Sequence, residues 1–331
     1  MSRMAIVLLA CSDYESLEVS LACHAAYLPA HADLFVLQNC RGTYDAERTL
    51  SVGQRYARLF PGRIHLVTGS KPTTPYRAIA ALLATRHFAA VDLVCKTDDD
   101  SFPIAPGWLD ALARGHAAAE AAGGPALAYV TPLINNNCWG FAETLQVMGL
   151  EPAFAAEMAR DHWVGTRAQR RIAPAGEIDR GGHGTIWQAP HLARWLHART
   201  TLVPDRFIAA TQGLSDVPVP GTERYSINCM LFRPALWRRI DDGSGEDEHM
   251  LHQHCLRTGE RIMCVRSVPF VHVAYFPQRE ENRDLVADIR RVYEARLGHP
   301  FPVAMRASRE LEIEARLRWI EQAIRNPAKP R

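Results

Sequence analysis

An α/β fold is predicted: a mostly parallel sheet flanked by helices, with an inserted subregion and a helical C-terminal tail. Three observations predict it. Short apolar runs alternate with helical patterns through roughly the first hundred residues, the sequence form of strand-helix units stacked around a parallel sheet. The regular pattern loosens over 135–222 and then returns. An Arg- and Glu-rich helical stretch closes the chain.

AIVLLAC (5–11) reads as the first strand, apolar throughout as a strand buried on both faces requires. A helix is expected over 17–27, stopped by Pro29, and ADLFVLQN (32–39) is the second strand. RIHLVTG (63–69) is the third. The proline-bounded loop KPTTP (71–75) leads into a helix over 76–88, and VDLVCKT (91–97) is a fourth strand that runs straight into Asp98, Asp99 and Asp100. After Pro106 a helix over 108–122 precedes the strand ALAYVTPLI (126–134). No element is assigned in 135–222, which carries Trp139, Trp163, Trp187, Trp195 and the glycine-rich RGGHG (180–184). It reads as an insertion, not a second core. RYSINCMLFRP (224–234), a helix from about Glu246, the strand RIMCVRSVPFVHV (261–273) and the terminal helical stretch complete the pattern, with no internal repeat.

The chain has 331 residues, 47% hydrophobic and 22% charged, which supplies a sizeable core and excludes wholesale disorder and a multi-span membrane protein. A net charge of +2 provides no global field to attract nucleic acid, so none is expected as a partner. Lysine occurs only at 71, 96 and 329, a bias of composition more than of chemistry. The eight cysteines form no CxxC pair and sit mostly in apolar runs. They read as small buried hydrophobes in a reducing compartment. The first apolar run is too short to span a membrane and is followed by no cleavage site, so the protein is expected to be cytoplasmic.

Three carboxylates at a strand end repel one another, and a divalent cation is the natural compensation. Side chains alternate along an extended strand, so Asp98 and Asp100 should share one side while Asp99 points away. Oxygen ligands favour Mg²⁺ or Mn²⁺, ions that commonly complete their shell with substrate phosphates. Ligands of open α/β sheets collect at the carboxyl ends of strands, where this triplet lies. A solvated acidic turn that caps the next element explains the same residues without a ligand.

VDLVCKTDDDSF resembles the metal and nucleotide-sugar motif of GT-A-fold glycosyltransferases, closest in form to the K-x-D-D-D-x-F run of the Fringe and β1,3-galactosyltransferase group. The resemblance implies a GT-A-like, Rossmann-like domain over 1–280, with a nucleotide-sugar-binding half at 1–105, an acceptor region within 135–222 and a helical tail at 281–331. It implies that Asp100 binds the metal and that Asp98 and Asp99 contact ribose or metal. In the related family 2 glycosyltransferases an A-R-N-like segment precedes the motif. PYRAIAALL is similar and puts Arg77 there as a pyrophosphate contact, although Ala78 stands where asparagine would be.

GSGEDEHMLHQHCLRTG is similar to the E-D-x-x-L segment that supplies the catalytic base in inverting members of the fold, which points to Asp247 as base with Glu246 beside it. An acceptor hydroxyl must lose its proton as it attacks the sugar carbon, and a positioned carboxylate takes it. The same residues also suit a helix start: Ser244-x-x-Asp247 fits a capping box, and acidic groups favour the positive end of the helix dipole. His272, in VPFVHV, lies where many GT-A enzymes place a further metal ligand, and imidazole would favour Mn²⁺.

His249, His252 and His254 could suggest zinc, but positions five apart on a helix point roughly 140° away from each other. His254 is expected inside with Leu251 and Asp247. Asp13 and Asn39, at the ends of the first two strands, fall where the fold holds the nucleobase and ribose, and serve equally well as turn or cap residues. RGGHGTIW lacks the ending of a phosphate loop and reads as a lid.

The resemblance thus implies an enzyme, a metal-dependent hexosyltransferase that moves a sugar from a UDP-linked donor to a glycan, lipid-linked or protein hydroxyl with inversion, in cell-surface glycan or polysaccharide synthesis. A sugar nucleotidyltransferase is the alternative enzyme, although CSDYES has none of its phosphate-loop glycines; a non-catalytic nucleotide- or glycan-binding protein is the alternative of another class. The amphipathic stretch 311–324 either packs on the domain or docks peripherally on an anionic inner membrane.

Overall fold

The computed structural model describes residues 3–11, 14–40, 46–68, 73–135, 138–158, 190–220, 227–241, 243, 245–273 and 281–301. Their element order is β1 (Met4–Ala10), α1 (Tyr14–Ala26), β2 (Ala32–Gln38), α2 (Ala46–Leu59), β3 (Ile64–Val67), α3 (Pro75–Leu83), a 3-10 turn (Arg86–Phe88), β4 (Leu93–Asp98), β5 (Ser101–Pro103), α4 (Trp108–Ala121) and β6 (Leu127–Ile134). There follow α5 (Cys138–Val147), α6 (Glu151–Glu157), α7 (Pro190–Arg199), α8 (Pro204–Thr211), β7 (Val217–Val219), β8 (Cys229–Phe232), α9 (Pro234–Arg239), α10 (Asp247–Thr258), β9 (Arg261–His272) and α11 (Arg283–Leu297).

The predicted α/β class is what the chain adopts. Among the described residues one nine-stranded sheet runs in the order β3-β2-β1-β4-β8-β6-β9-β5, with β7 also on β9. The first four strands are parallel, as the strand-helix alternation predicts. Beyond β4 the sheet is mixed: β8 pairs antiparallel with both β4 and β6, while β6 and β9 are parallel. Strand β9 is long enough for its free edge to take two short strands, β7 along one end and β5 along the other. Every residue of β1 is buried, which is why its sequence carries no alternation.

Besides α5 to α8 and β7 in the unassigned stretch, the sequence reading missed α2, β5 and α9. Helix α2 has a polar composition, but Val52, Tyr56 and Ala57 are buried against the sheet. Its Gly53 permits the close approach, since a Cβ there would stand 2.8 Å from Leu66 Cδ1. Strand β5 is three residues long, and only its pairing with β9 makes it a strand.

The region 135–222 builds no separate core where it is described. Phe141, Phe154, Trp195 and Phe207 join the same buried cluster as the β-strands. Helix α11 likewise lays Leu285, Val286, Ile289 and Tyr293 into that core, and its Arg290 pairs with the buried Glu18 of α1. Residues 311–324 and RGGHG lie outside the described residues, as do Trp163, Trp187 and Ser244. Of the seven described cysteine side chains, five are buried, and Cys11 and Cys40 are half-buried. Among the described residues no helix is long and apolar enough to cross a membrane.

His24 is wholly buried in α1, edge-on to Trp108, with Nδ1 bonded to the Ser20 carbonyl at 2.9 Å. Burial disfavours the imidazolium and lowers its pKa to about 4, against partial opposition from the Ser20 carbonyl. The unfolded chain therefore binds a proton near pH 6.5 that the folded chain refuses until about pH 4. This stability is fully present above that window and is lost as pH falls through it. Acidification from pH 7 to 5 is expected to cost about 2 kcal/mol through this residue alone. Urea titrations of wild type and His24→Phe at both pH values check it: the variant should lose less stability on acidification by that amount.

Candidate active site

Strand β4 occupies the middle of the sheet, between β1 and β8, so a charge on it must be compensated locally. Lys96 is such a charge, only 1% exposed. Two positions on, Asp98 lies on the same side of the strand, and Lys96 Nζ meets its Oδ1 at 2.6 Å and donates to the Ile227 carbonyl at 3.0 Å. Burial works against the ammonium, but the carboxylates of Asp98 and then Asp247 outweigh it and hold Lys96 above the ordinary lysine range. Burial raises the Asp98 carboxyl; Lys96 opposes this, while Asp100 and Asp247 add to it.

Asp99 follows the last residue of β4, in the turn before β5. It is 3% exposed, and its Oδ2 accepts the Cys11 backbone N–H at 2.8 Å, tying the end of β4 to the end of β1. The ribose or metal contact expected of Asp99 has beside it this backbone hydrogen bond to the end of β1. The chain then bends into β5, whose Ser101 pairs with His272 on β9, and this pairing carries Asp100 to the histidine. His272 Nε2 stands 3.2 Å from Asp100 Oδ2. Burial works against the charge of Asp100, but the neighbouring His272 outweighs it and holds the carboxyl below its usual range.

Asn228, just before β8, joins the two groups. Its Nδ2 lies 3.1 Å from Asp98 Oδ2 and 3.2 Å from His272 Nε2. Its carbonyl accepts the Asp98 N–H at 3.1 Å. On the far side, Asn135 Oδ1 accepts the His272 N–H at 3.0 Å. Neither asparagine, nor Lys96, was assigned a role from sequence.

The second acidic segment arrives on α10. Asp247 is its first residue, 9% exposed; Oδ1 accepts the Glu248 N–H at 3.1 Å and Oδ2 is buried without a hydrogen-bond partner. Burial raises its carboxyl, Lys96 opposes the rise and Glu248 adds to it. Asp247 is near enough to act electrostatically on both Lys96 and Asp98, so the start of α10 lies near the end of β4. Glu246, the residue before the helix, is exposed. On the inner face of α10 His254 is buried with Leu251, its Nε2 3.2 Å from Glu260, whereas His249 is exposed and His252 half-buried.

Gly245 sets where Asp247 falls. Its φ is +79°, and a Cβ there would lie 2.8 Å from Thr74 Cγ2 and 3.0 Å from Thr74 Oγ1. Thr74 in turn caps α3 by accepting the Arg77 N–H at 3.3 Å. Asn39 holds the preceding residue: its Nδ2 donates to the Thr73 carbonyl and its Oδ1 accepts the Thr73 N–H, both at 2.9 Å. Asn39, expected as a nucleotide contact or a turn residue, is buried at 1% exposure and supports this loop with both amide atoms. Arg77 is exposed on the first turn of α3. Asp13 lies outside the described residues.

Gly245→Ala is expected to destabilise by about 1–3 kcal/mol, since it combines a left-handed backbone with the Thr74 overlap. Gly243, at φ +84° with open space around its Cβ position, is the control. Urea unfolding should show Gly243→Ala costing clearly less; equal costs would mean that the Thr74 contact is immaterial.

The donor set suits a hard cation at one point. Two ligands at right angles, each about 2.1 Å from an ion, stand about 3 Å apart. The 3.2 Å between Asp100 Oδ2 and His272 Nε2 is close to that edge. Two acceptors at such a separation repel unless a proton or a cation lies between them. Among the described residues no three His, Cys, Asp or Glu side chains gather around one point. A Mg²⁺- or Mn²⁺-type ion needs only one or two protein ligands where substrate phosphates supply the rest.

No protein-family model matches the chain, and no curated protein matches it. Among solved structures it is similar to mannosyltransferase PcManGT from Pyrobaculum calidifontis in complex with GDP-Man and Mn²⁺, at 14% identity and TM-score 0.44, covering 98% of this chain and 73% of that chain. No residue role follows from a likeness this distant.

Proposed function

We propose that the protein is a metal-dependent glycosyltransferase that moves a sugar from a nucleoside diphosphate sugar, UDP-linked by the sequence expectation, to a hydroxyl acceptor with inversion. The observation that carries this reading is the convergence of Asp247, with its unbonded buried oxygen, on the Lys96–Asp98 pair at the carboxyl end of β4. Asp100 and His272 are the residues that would hold Mn²⁺ or Mg²⁺, with Asp98 beside them. When bound, such an ion supplies positive charge to the departing diphosphate.

Asp247 accepts the acceptor's hydroxyl proton at Oδ2. The freed oxygen forms its bond to the anomeric carbon from the side opposite the diphosphate, the sugar–phosphate C–O bond breaks, and its electron pair leaves on the nucleoside diphosphate. Attack from the opposite side inverts the anomeric centre. Lys96 keeps Asp98 charged and in place, and its positive charge also favours the carboxylate form of Asp247 that a base requires. The acceptor is a glycan, lipid-linked or protein hydroxyl.

The test is release of free nucleotide from UDP- and GDP-linked sugars in the presence of Mn²⁺. Turnover of one donor class, abolished by a chelator, is expected. No release from any nucleoside diphosphate sugar would remove the enzymatic reading and favour a binding protein of the same architecture.

A further inference from the structure

We infer that His197 of α7 and Asn135 are positioning residues: together they clamp the His272–Val273 segment and so fix the spacing of the Asp100–His272 pair. The inference rests on the metal-dependent reading above and deepens it, because it gives the inserted region a share in the ion's site. The β6–β9 pairing ends at Ile134 and Phe270, two residues short of His272. Beyond that point side chains take the place of the strand. Asn135 Oδ1 accepts the His272 N–H at 3.0 Å, which fixes the orientation of the amide, since a backbone N–H can only donate. Its Nδ2 then donates to the Thr200 and Thr201 hydroxyls, each at 3.1 Å. Thr201 Oγ1 stands 2.7 Å from His197 Nδ1, and His197 Nε2 stands 3.2 Å from the Val273 carbonyl. A carbonyl can only accept, so Nε2 carries a proton and donates it.

This chain of bonds starts at the N–H of His272 and returns to the carbonyl of Val273. Between the two holds, the Val273 N–H donates to the Asp100 carbonyl at 2.9 Å. The clamped segment therefore carries one member of the pair and grips the backbone of the other. Asn135, His197, Thr200 and Thr201 are all 0% exposed, so bulk water cannot replace a bond that is lost. An apolar side chain at 197 would bury α7 without the cost of enclosing an imidazole, and what the histidine adds is its hold on Val273. Ligand atoms must be held to within about 0.5 Å of their working geometry. Removing the outer support of a metal ligand commonly lowers affinity about 10–100-fold.

The deciding experiment is calorimetry of Mn²⁺ binding to the full-length protein, with amide hydrogen exchange at His272 and Val273 followed by NMR on the metal-free form. His197→Leu should weaken Mn²⁺ binding about tenfold or more and speed the exchange of both amides. His197→Gln, whose amide nitrogen can still donate to Val273, should recover most of both. Leu192→Ala, a cavity in the same helix away from the network, is the control for plain loss of stability and should leave Mn²⁺ affinity unchanged. Thr201→Val removes the shared hydroxyl at nearly constant volume, should act in the direction of His197→Leu, and replaces it if that variant does not fold. Unchanged Mn²⁺ affinity, or unchanged exchange of both amides, in a folded His197→Leu or Thr201→Val would overturn the inference, and so would an equal loss of affinity in Leu192→Ala. A wild type that binds no Mn²⁺ would sink the metal-dependent reading instead, while the metal-free exchange rates still decide whether His197 holds the segment.

Discussion

Asp247→Asn is expected to lower sugar transfer by about 10²–10⁴-fold while Mn²⁺-dependent nucleotide binding stays within a few-fold of wild type. The asparagine keeps the shape of the side chain and the acceptor for the Glu248 N–H, so α10 should start as before. What disappears is the oxygen that receives a proton. The pH profile adds a second readout. Burial raises the Asp247 carboxyl, so the acid limb of the wild-type rate should lie above the usual carboxylate range, with activity lost as pH falls through it. If the variant retains more than about a tenth of wild-type turnover, another group takes the proton.

Lys96→Met should be the most destabilising single change at the site, at about 3–5 kcal/mol, because it removes the buried cation that Asp98 and Asp247 both face. Its stem is replaced at nearly equal volume, so the loss reflects charge more than packing. The Ile227 carbonyl also loses its donor. Urea midpoints of the two proteins give the number. A cost below about 1 kcal/mol would mean that water, not Lys96, compensates these carboxylates.

Much of this could be read before any coordinates. An apolar run ended by three aspartates locates β4 and the carboxylates at its tip, although the strand stops at Asp98 and Asp99 and Asp100 lie in the turn that follows. The inner face of α10 was equally legible, with Asp247, Leu251 and His254 on it. Helix α2 was not, because its polar composition hides a buried face that only Gly53's approach to Leu66 explains. Strand β5 is too short to leave a periodic signal, yet it brings Asp100 to His272. Asn39 fell on the expected strand end but serves Thr73, a contact that no local pattern announces. Lys96 did carry a signal: one of three lysines in the chain, set in a strand whose neighbours are apolar. Asn228 carried none, since its role arises from the pairing of β8 with β4 across a long loop.

The claim underneath all of this is that the two acidic segments form a single site for a cation and a diphosphate. Thermal melting of the full-length protein with UDP or GDP, in Mn²⁺ and then in excess chelator, tests it most directly, because a ligand bound only by the folded state raises the melting temperature by mass action. The melting temperature should rise with nucleotide and Mn²⁺ together, and the rise should vanish in chelator and in Asp100→Asn. A rise of equal size without the metal, or in that variant, would contradict the account.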